Sequence, residues 1–344
     1  MNLNIKKNTT VLSENEIKKN WISDQVLVSI CCIAYNHELY IKNALDGFLN
    51  QKTNFPFEIL IHDDASTDKT ANIISEYQKK YPSIVKPILQ KINQHSKGIS
   101  ILRTFNFPRA KGEFIALCEG DDYWIDPNKL QKQIDALKRY PKCSICFHSA
   151  FALNREGKKY PINVIDKNET LLDFKDVIFN GGGGMPTASI VFRTSIIETI
   201  NKFYSIAKPC GVGDSVYQII SSEVGGALYL PFQGSIYRKD AIGSWSEKMN
   251  KDKAFAIKTR VGVIDLYIAL NNFYDKKYDS YFHTKIGRIC LKFITDSYIH
   301  PKFNKSLYEK YKEYLNDYSL LYIKILYYLR TIKKNIRRLI YLMR

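Results

Sequence analysis

The sequence predicts an α/β fold, a mostly parallel central sheet flanked by helices, with a helical and basic C-terminal extension. Three observations lead there. Strand and helix signals alternate from residue 26 to residue 140, the pattern of parallel strands joined by crossover helices. The first apolar run, VLVSICCIA at 26–34, is unbroken, as expected of a strand covered on both faces. Polar clusters follow three of the predicted strands, where open α/β sheets bind their ligands.

Each element has its own signal. After the strand at 26–34, residues 37–51 carry Leu39, Ile41, Ala44, Leu45, Phe48 and Leu49 at helical spacing. Residues 57–61 form the second strand, and 63–68 a polar turn. The spacing predicts a helix over 67–81 with Ser66 as N-cap and Pro82 beyond its end. A third strand at 84–89, a polar loop at 91–98 and a fourth strand at 114–118 follow. The acidic turn 119–122 leads to a helix at 127–140, with Pro127 near its start. The second half is less regular: strands at 143–152 and 188–193, a helix at 171–180, a glycine loop at 181–184, a helix at 215–224 and a short strand at 227–230. Beyond about 250 the chain reads as helical, aromatic and basic. The organisation expected is an N-terminal extension (1–25), a main domain (26–250, divided near 140) and a helical basic region (251–344).

A chain of 344 residues can bury one large core, and its 45% hydrophobic and 25% charged residues lie in the globular range. The net charge of +17 is unevenly spread: residues 1–250 hold 31 Lys/Arg against 26 Asp/Glu, and residues 251–344 hold 20 against 8. The basic character therefore belongs to the tail, which would attract nucleic acid or anionic lipid. Seven scattered cysteines fit reduced thiols; Cys143 and Cys146 form a CxxC with no second pair at zinc spacing. The first 20 residues lack the apolar core of a signal peptide, and no run of 18 apolar residues is present. The expected location is cytoplasmic.

Chemistry concentrates at the strand ends. Tyr35-Asn36-His37 follows the first strand, His62 to Asp68 the second, and Glu119 to Trp124 the fourth. Unit charges about 4 Å apart repel by roughly 4 kcal/mol at an effective dielectric near 20. Asp121-Asp122 is then either a solvated capping turn or the ligand pair of a hard divalent cation, Mn²⁺ or Mg²⁺, with open positions for a diphosphate. Asp63-Asp64 either caps the next helix or accepts a hydrogen bond from a nucleobase. Asp214, in Gly211-Val212-Gly213-Asp214-Ser215, is either an N-cap or a carboxylate projecting into a cleft. The glycine loop lacks the Gly-Lys-Ser/Thr of a phosphate loop and reads as a flexible connection. His37 and His62 flank the site as supporting or surface residues, and Trp124 reads as a packing residue.

Three blocks, SICCIAYNHELYIKNALDGFLNQ, FEILIHDDASTDKT and AKGEFIALCEGDDYWIDPNKLQKQ, together resemble the family-2 glycosyltransferases of GT-A fold, a Rossmann-like architecture. The resemblance is specific over 26–140 and continues more weakly to 250 through GMPTASIVFR, GVGDSVYQIISSEVGGALYLP and YRKDAIGSWS. It implies that Tyr35 stacks on the base, that Asp64 meets a uracil-like edge with Asp63 beside it, and that Arg238 contacts the diphosphate. It implies Asp122 as the main ligand of Mn²⁺ or Mg²⁺, Asp121 on ribose or metal, and Asp214 as the general base of an inverting transfer from a UDP-sugar. The acceptor implied is a hydroxyl of a glycan or lipid-linked glycan. Two departures stand out. Asp240 takes a place where many relatives have histidine, and Ala34 one where some have a hydroxyl residue.

In the tail, Leu329, Ile332, Ile336, Leu339, Ile340 and Met343 share one helical face and Arg330, Lys333, Lys334, Arg337 and Arg338 another. Residues 324–344 carry seven positive charges and no negative one, the pattern of a helix lying on an anionic membrane surface. A nucleotidyltransferase would need a basic glycine-rich loop after the first strand, which Tyr35-Asn36-His37 does not supply. A nucleic-acid-binding protein would leave the paired aspartates without a role, so no nucleic-acid partner is expected. A nicotinamide dehydrogenase would need GxGxxG at the same place.

Overall fold

The computed structural model describes residues 11–181, 183–207, 212–295, 306 and 308–315, in two compact units, Met1–Phe255 and Ala256–Arg344. In the first unit α1 (Glu14–Lys18) precedes β1 (Val28–Ala34), α2 (Ile41–Leu49), β2 (Phe57–Asp63), α3 (Thr70–Lys80), β3 (Val85–Leu89), β4 (Phe114–Leu117), β5 (Tyr123–Trp124) and α4 (Lys129–Arg139). Then come β6 (Ile145–Leu153), β7 (Lys159–Ile162), β8 (Thr170–Leu172), α5 (Phe174–Asn180), β9 (Val191–Arg193), α6 (Ile197–Ile206), α7 (Gly213–Ser222), β10 (Ala227–Arg238) and α8 (Trp245–Lys251).

The ten strands form one sheet in the order β3-β2-β1-β4-β9-β6-β10-β5, with β7 added to β6 and β8 to β10. β3, β2, β1 and β4 are mutually parallel. β9 runs antiparallel to β4 and to β6, while β10 runs parallel to β6. The sheet is therefore mixed about β9. Every residue of β2 is buried, and β1 is buried except for Ile33, so helices cover both faces as the apolar run predicts. The core joins Ile30, Cys32, Ile59, Ile61, Phe114 and Ala116 of the sheet to Leu45 and Phe48 of α2 and Leu130 and Ile134 of α4.

Several elements differ from expectation for local reasons. The helix expected from 37, α2, begins at Ile41, because Asn36 takes φ 54° and residues 38–40 turn. Ser66 does not cap α3. Lys69 holds that place without a side-chain bond, and Asp68 accepts from Thr70 N at 2.9 Å instead. A π-helical turn over Leu102–Asn106, the two-residue β5 and the helix α6 carry no clear periodicity in the sequence. In the second unit, α9 (Lys253–Phe273) enters from the first and α10 (Asp279–Thr295) follows; Tyr267 packs edge-on against Phe282, and Lys310 and Tyr311 both bind Asp265. Residues 324–344 lie outside the described residues.

Candidate active site

The strand order reverses between β1 and β4, so the loops leaving their carboxyl ends part and open a crevice. The two loops touch at the backbone, where Gly120 N donates to Ile33 O at 2.9 Å. No larger residue fits there: a Cβ on Gly120 would lie 2.8 Å from His37 Nδ1 and 2.9 Å from the Ile41 side chain.

The loop after β1 is woven into the loop after β2. Asn36 N donates to Ser66 Oγ (2.8 Å), and Asn36 Oδ1 accepts from Thr67 N (2.8 Å). His37 N donates to Thr70 Oγ1 (2.8 Å) and Glu38 N to Asp68 (3.0 Å). Both Asn36 and Ala65 sit at positive φ, a strain this network holds in place. The result presents Tyr35 outward, with 46% of its surface exposed.

Asp63 and Asp64 are both buried. Asp63 accepts from the Ser66 hydroxyl and backbone, and burial raises its pKa. Asp64 was expected to meet a base edge with its carboxylate. One of its oxygens accepts from Gln94 N (2.8 Å) and the other from His95 N (3.0 Å), and its carbonyl accepts from Asn93 Nδ2. It holds the 93–95 turn against the end of β2, and neither aspartate caps α3. His62 is fully buried and stacked on Phe105, its pKa pushed down to about 4 by burial.

The acidic turn gathers three carboxylates and faces a fourth. Asp122 is 2% exposed, and its Oδ1 accepts from Arg238 N at 2.8 Å. Burial, then Asp121 and Glu119, raise its pKa well above the carboxylate range. Glu119 is pushed up to about 8 by burial and by the charges of Asp121 and Asp214. Asp214 therefore lies within electrostatic reach of this turn although it stands on α7. It occupies the second position of that helix, is not its N-cap, and accepts from the adjacent Ser215 N at 2.9 Å. Burial raises its pKa to about 6.

Arg238 was expected to reach a diphosphate. Its guanidinium is instead tied down, donating to the Asp121 carbonyl and to Asn43 Oδ1 (2.9 Å) and lying over the rings of Tyr123 (4.4 Å) and Tyr40 (5.0 Å). It fastens β10 to the acidic turn. Asp240 is also structural: its N–H donates to Ser246 Oγ and its carboxylate accepts from Asn250. Trp124 is a packing residue as expected, 3% exposed, donating to Ala188 O at 2.8 Å. Cys143 and Cys146 are buried free thiols.

Among the described residues no three His, Cys, Asp or Glu side chains stand together as a complete metal site. The acidic turn still suits a hard cation. Its donors are carboxylate oxygens, and burial first, then mutual repulsion, raises the pKa of Glu119 and Asp122, a cost that a bound cation would offset. Such a cation would draw its remaining ligands from a diphosphate and water. Sequence reasoning missed Glu119 as a member of this cluster, although it stands in the quoted EGDD block. It also missed Asn106, fully buried, whose amide donates to Cys32 O and Leu60 O (3.1 Å each) behind the site.

Residues 29–198 match the family model described as glycosyl transferase family 2. An uncharacterised protein, Rv1520, of Mycobacterium tuberculosis (strain ATCC 25618 / H37Rv) is 48% identical over 231 residues, which are 66% of this chain and 63% of that protein. The chain thus spans less than two thirds of that relative's length. Among solved structures, S. aureus TarS 1–349 in complex with UDP is similar with a TM-score of 0.57 at 16% identity, covering 79% of this chain and 73% of that one. Mannosyltransferase PcManGT from Pyrobaculum calidifontis, in complex with GDP-Man and Mn²⁺, gives 0.52 at 14% identity, covering 92% and 91%. At these identities the two structures speak for the fold.

Proposed function

We propose that this chain, a member of glycosyl transferase family 2 with the GT-A fold, moves a sugar from a nucleotide-diphosphate sugar, a UDP-sugar, to an acceptor hydroxyl with inversion. The observation that carries the reading is the convergence of Tyr35, the Asp121-Asp122 turn and Asp214 at the reversal point of the sheet.

Each residue has a physical role in that reading. Tyr35 offers an exposed ring on which a nucleobase stacks, and the turn held by Asp64, with Asp63 bracing the neighbouring loop, frames the base edge. Asp122, with Asp121 beside it, would hold Mn²⁺ or Mg²⁺, and Asp121 also reaches the ribose. When bound, the ion neutralises charge on the departing diphosphate. Arg238 keeps both aspartates in register. Asp214 takes the acceptor proton: a carboxyl titrating near 6 is ionised at neutral pH and still basic enough to accept a proton in the transition state. The solved neighbours support a nucleotide donor, since one is named with UDP and another with GDP-Man and Mn²⁺.

The acceptor belongs to a glycan or lipid-linked glycan, with the enzyme on the inner face of the cell membrane. The support is the basic amphipathic pattern of residues 324–344. No helix of the described residues is long and apolar enough to cross a membrane.

Calorimetric titration of UDP and GDP, with and without Mn²⁺, tests the donor site on wild type and Asp122→Ala. Metal-dependent binding of UDP, lost in the variant, is the expected result. Binding of neither nucleotide in any metal would overturn the reading, and GDP in place of UDP would revise the base.

A further inference from the structure

A cavity of about 310 Å³ opens beside α7, within the size range of small-molecule sites. Its apolar wall comes from Phe147 of β6, Val177 of α5 and Met185. Its side-chain polar groups are three amides and one carboxylate, from Asn163, Asn180, Gln218 and Asp176, and among the described residues no lysine or arginine lines it. Gln218 is fully buried and follows Asp214 by four residues on α7, so the two side chains share one helix face a turn apart. The Gln218 amide donates to Met185 O (3.2 Å), and the Asn163 amide donates to Gly183 O (2.6 Å) and Gly184 O (3.2 Å). These bonds pin the glycine segment as the rim of the cavity.

Building on the glycosyl-transfer reading, we infer that this cavity seats the acceptor and selects an uncharged, pyranose-sized sugar ring. The link to the base is Gln218, which lines the cavity one helical turn from Asp214. The Phe147, Val177 and Met185 wall covers the C–H face of a ring, where burial of apolar surface supplies affinity. The Asn180 amide can both donate and accept and the Asp176 carboxylate accepts, which matches hydroxyls that do both, while the Asn163 and Gln218 N–H groups hold the rim. A phosphate or uronate would enter beside the Asp176 carboxylate with no cation in the lining to offset its desolvation. Charge thus excludes anionic acceptors, while shape admits neutral ones.

The test uses the full-length protein loaded with Mn²⁺ and UDP, probed by saturation-transfer NMR. The probes are methyl glycosides of neutral hexoses and N-acetylhexosamines, methyl glucuronide and ribitol 5-phosphate. A neutral glycoside should bind at least tenfold more tightly than either anionic probe. Asp176→Ala/Asn180→Ala should weaken that binding tenfold or more with UDP affinity and melting temperature unchanged. Gly183→Trp gives an independent check, because Gly183 lines the cavity and a Cβ there meets no atom within 4 Å; it should cause the same loss. Equal binding of the anionic probes, unchanged binding in both variants, or no glycoside bound while UDP binds would each overturn the assignment. Failure of UDP and GDP to bind would instead bring down the donor reading, and with it the seat that rests on it; calorimetry reports that outcome separately.

Discussion

Asp214 stands at the second position of α7, where the helix dipole favours a negative charge and pulls a carboxyl pKa down. Its pKa nevertheless rises to about 6, so burial outweighs the dipole and its bond from Ser215. As a base it works only when ionised. The rate of transfer should therefore fall as pH drops through about 6, and Asp214→Asn should abolish that limb. The same variant should lower kcat by roughly 100- to 10,000-fold while leaving donor affinity intact, as expected of a lost general base; near-normal transfer would leave Asp214 a helix-end residue alone. A second prediction concerns Lys129, fully buried in α4, which donates to Gln133 Oε1 (2.7 Å) and lies over the Trp124 ring. Burial pushes its pKa down from 10.5 to about 7. The folded state thus binds this proton less tightly than the unfolded chain. The stability this provides is full above 10.5 and is lost as pH falls through 7. Lys129→Met should therefore gain on wild type as pH falls from 9.5 to 7. Each kcal/mol gained reads as about 2–4 °C in Tm, and a pH-independent difference would contradict the burial argument.

The elements show which information is local and which is not. Apolar periodicity makes β1, α2, β2, α3, β4 and α4 legible, because each buries one face or both against a neighbour. Their starts are less so, since Asn36, Ser66 and Asp68 trade backbone partners across two loops that are distant in sequence. The sequence reading gives only a short strand at 227–230 where β10 lies. The strand runs on to Arg238, with register shifts between Leu230 and Gln233 and again before Ser235 that admit Pro231. That continuation depends on pairing with β6 and β5, a tertiary fact with no local signature. Among the candidate site residues, the acidic turn is visible as paired aspartates after a strand, and Asp214 is singled out by the family resemblance rather than by spacing. The engagement of Asp64 and Arg238 is not legible, because their partners at 93–95 and at 43 and 123 come from other parts of the chain. The turn at 102–106 offers an element-scale test. Asn106→Leu removes the amide that bridges strand carbonyls on β1 and β2 and leaves the Arg109 bond to its Oδ1 unmade. A loss of about 1–3 kcal/mol in denaturant unfolding is expected; an unchanged midpoint would mean that the sheet holds those carbonyls without it.

At the scale of the molecule, charge divides the work. The first 250 residues are nearly balanced and build the site, and the remaining 94 carry most of the excess positive charge. Removing residues 324–344 should release the protein from liposomes containing anionic lipid while sparing UDP binding. Each basic group near such a surface contributes about 1 kcal/mol, so retention after truncation would locate the attachment elsewhere. The bond from Arg238 N to Asp122 spans 116 residues and joins the last strand of the sheet to the acidic turn. On the ribosome, where chains emerge at about 5–20 residues per second, the turn waits roughly 6–23 s for that partner. During this interval Asp121 and Asp122 lack their clamp, and the half of the sheet that holds Tyr35 can form before the turn is set. The order of synthesis thus makes the acidic turn the last part of the proposed donor site to mature, and a nascent chain stopped short of Arg238 would have the strands beside that turn without its clamp.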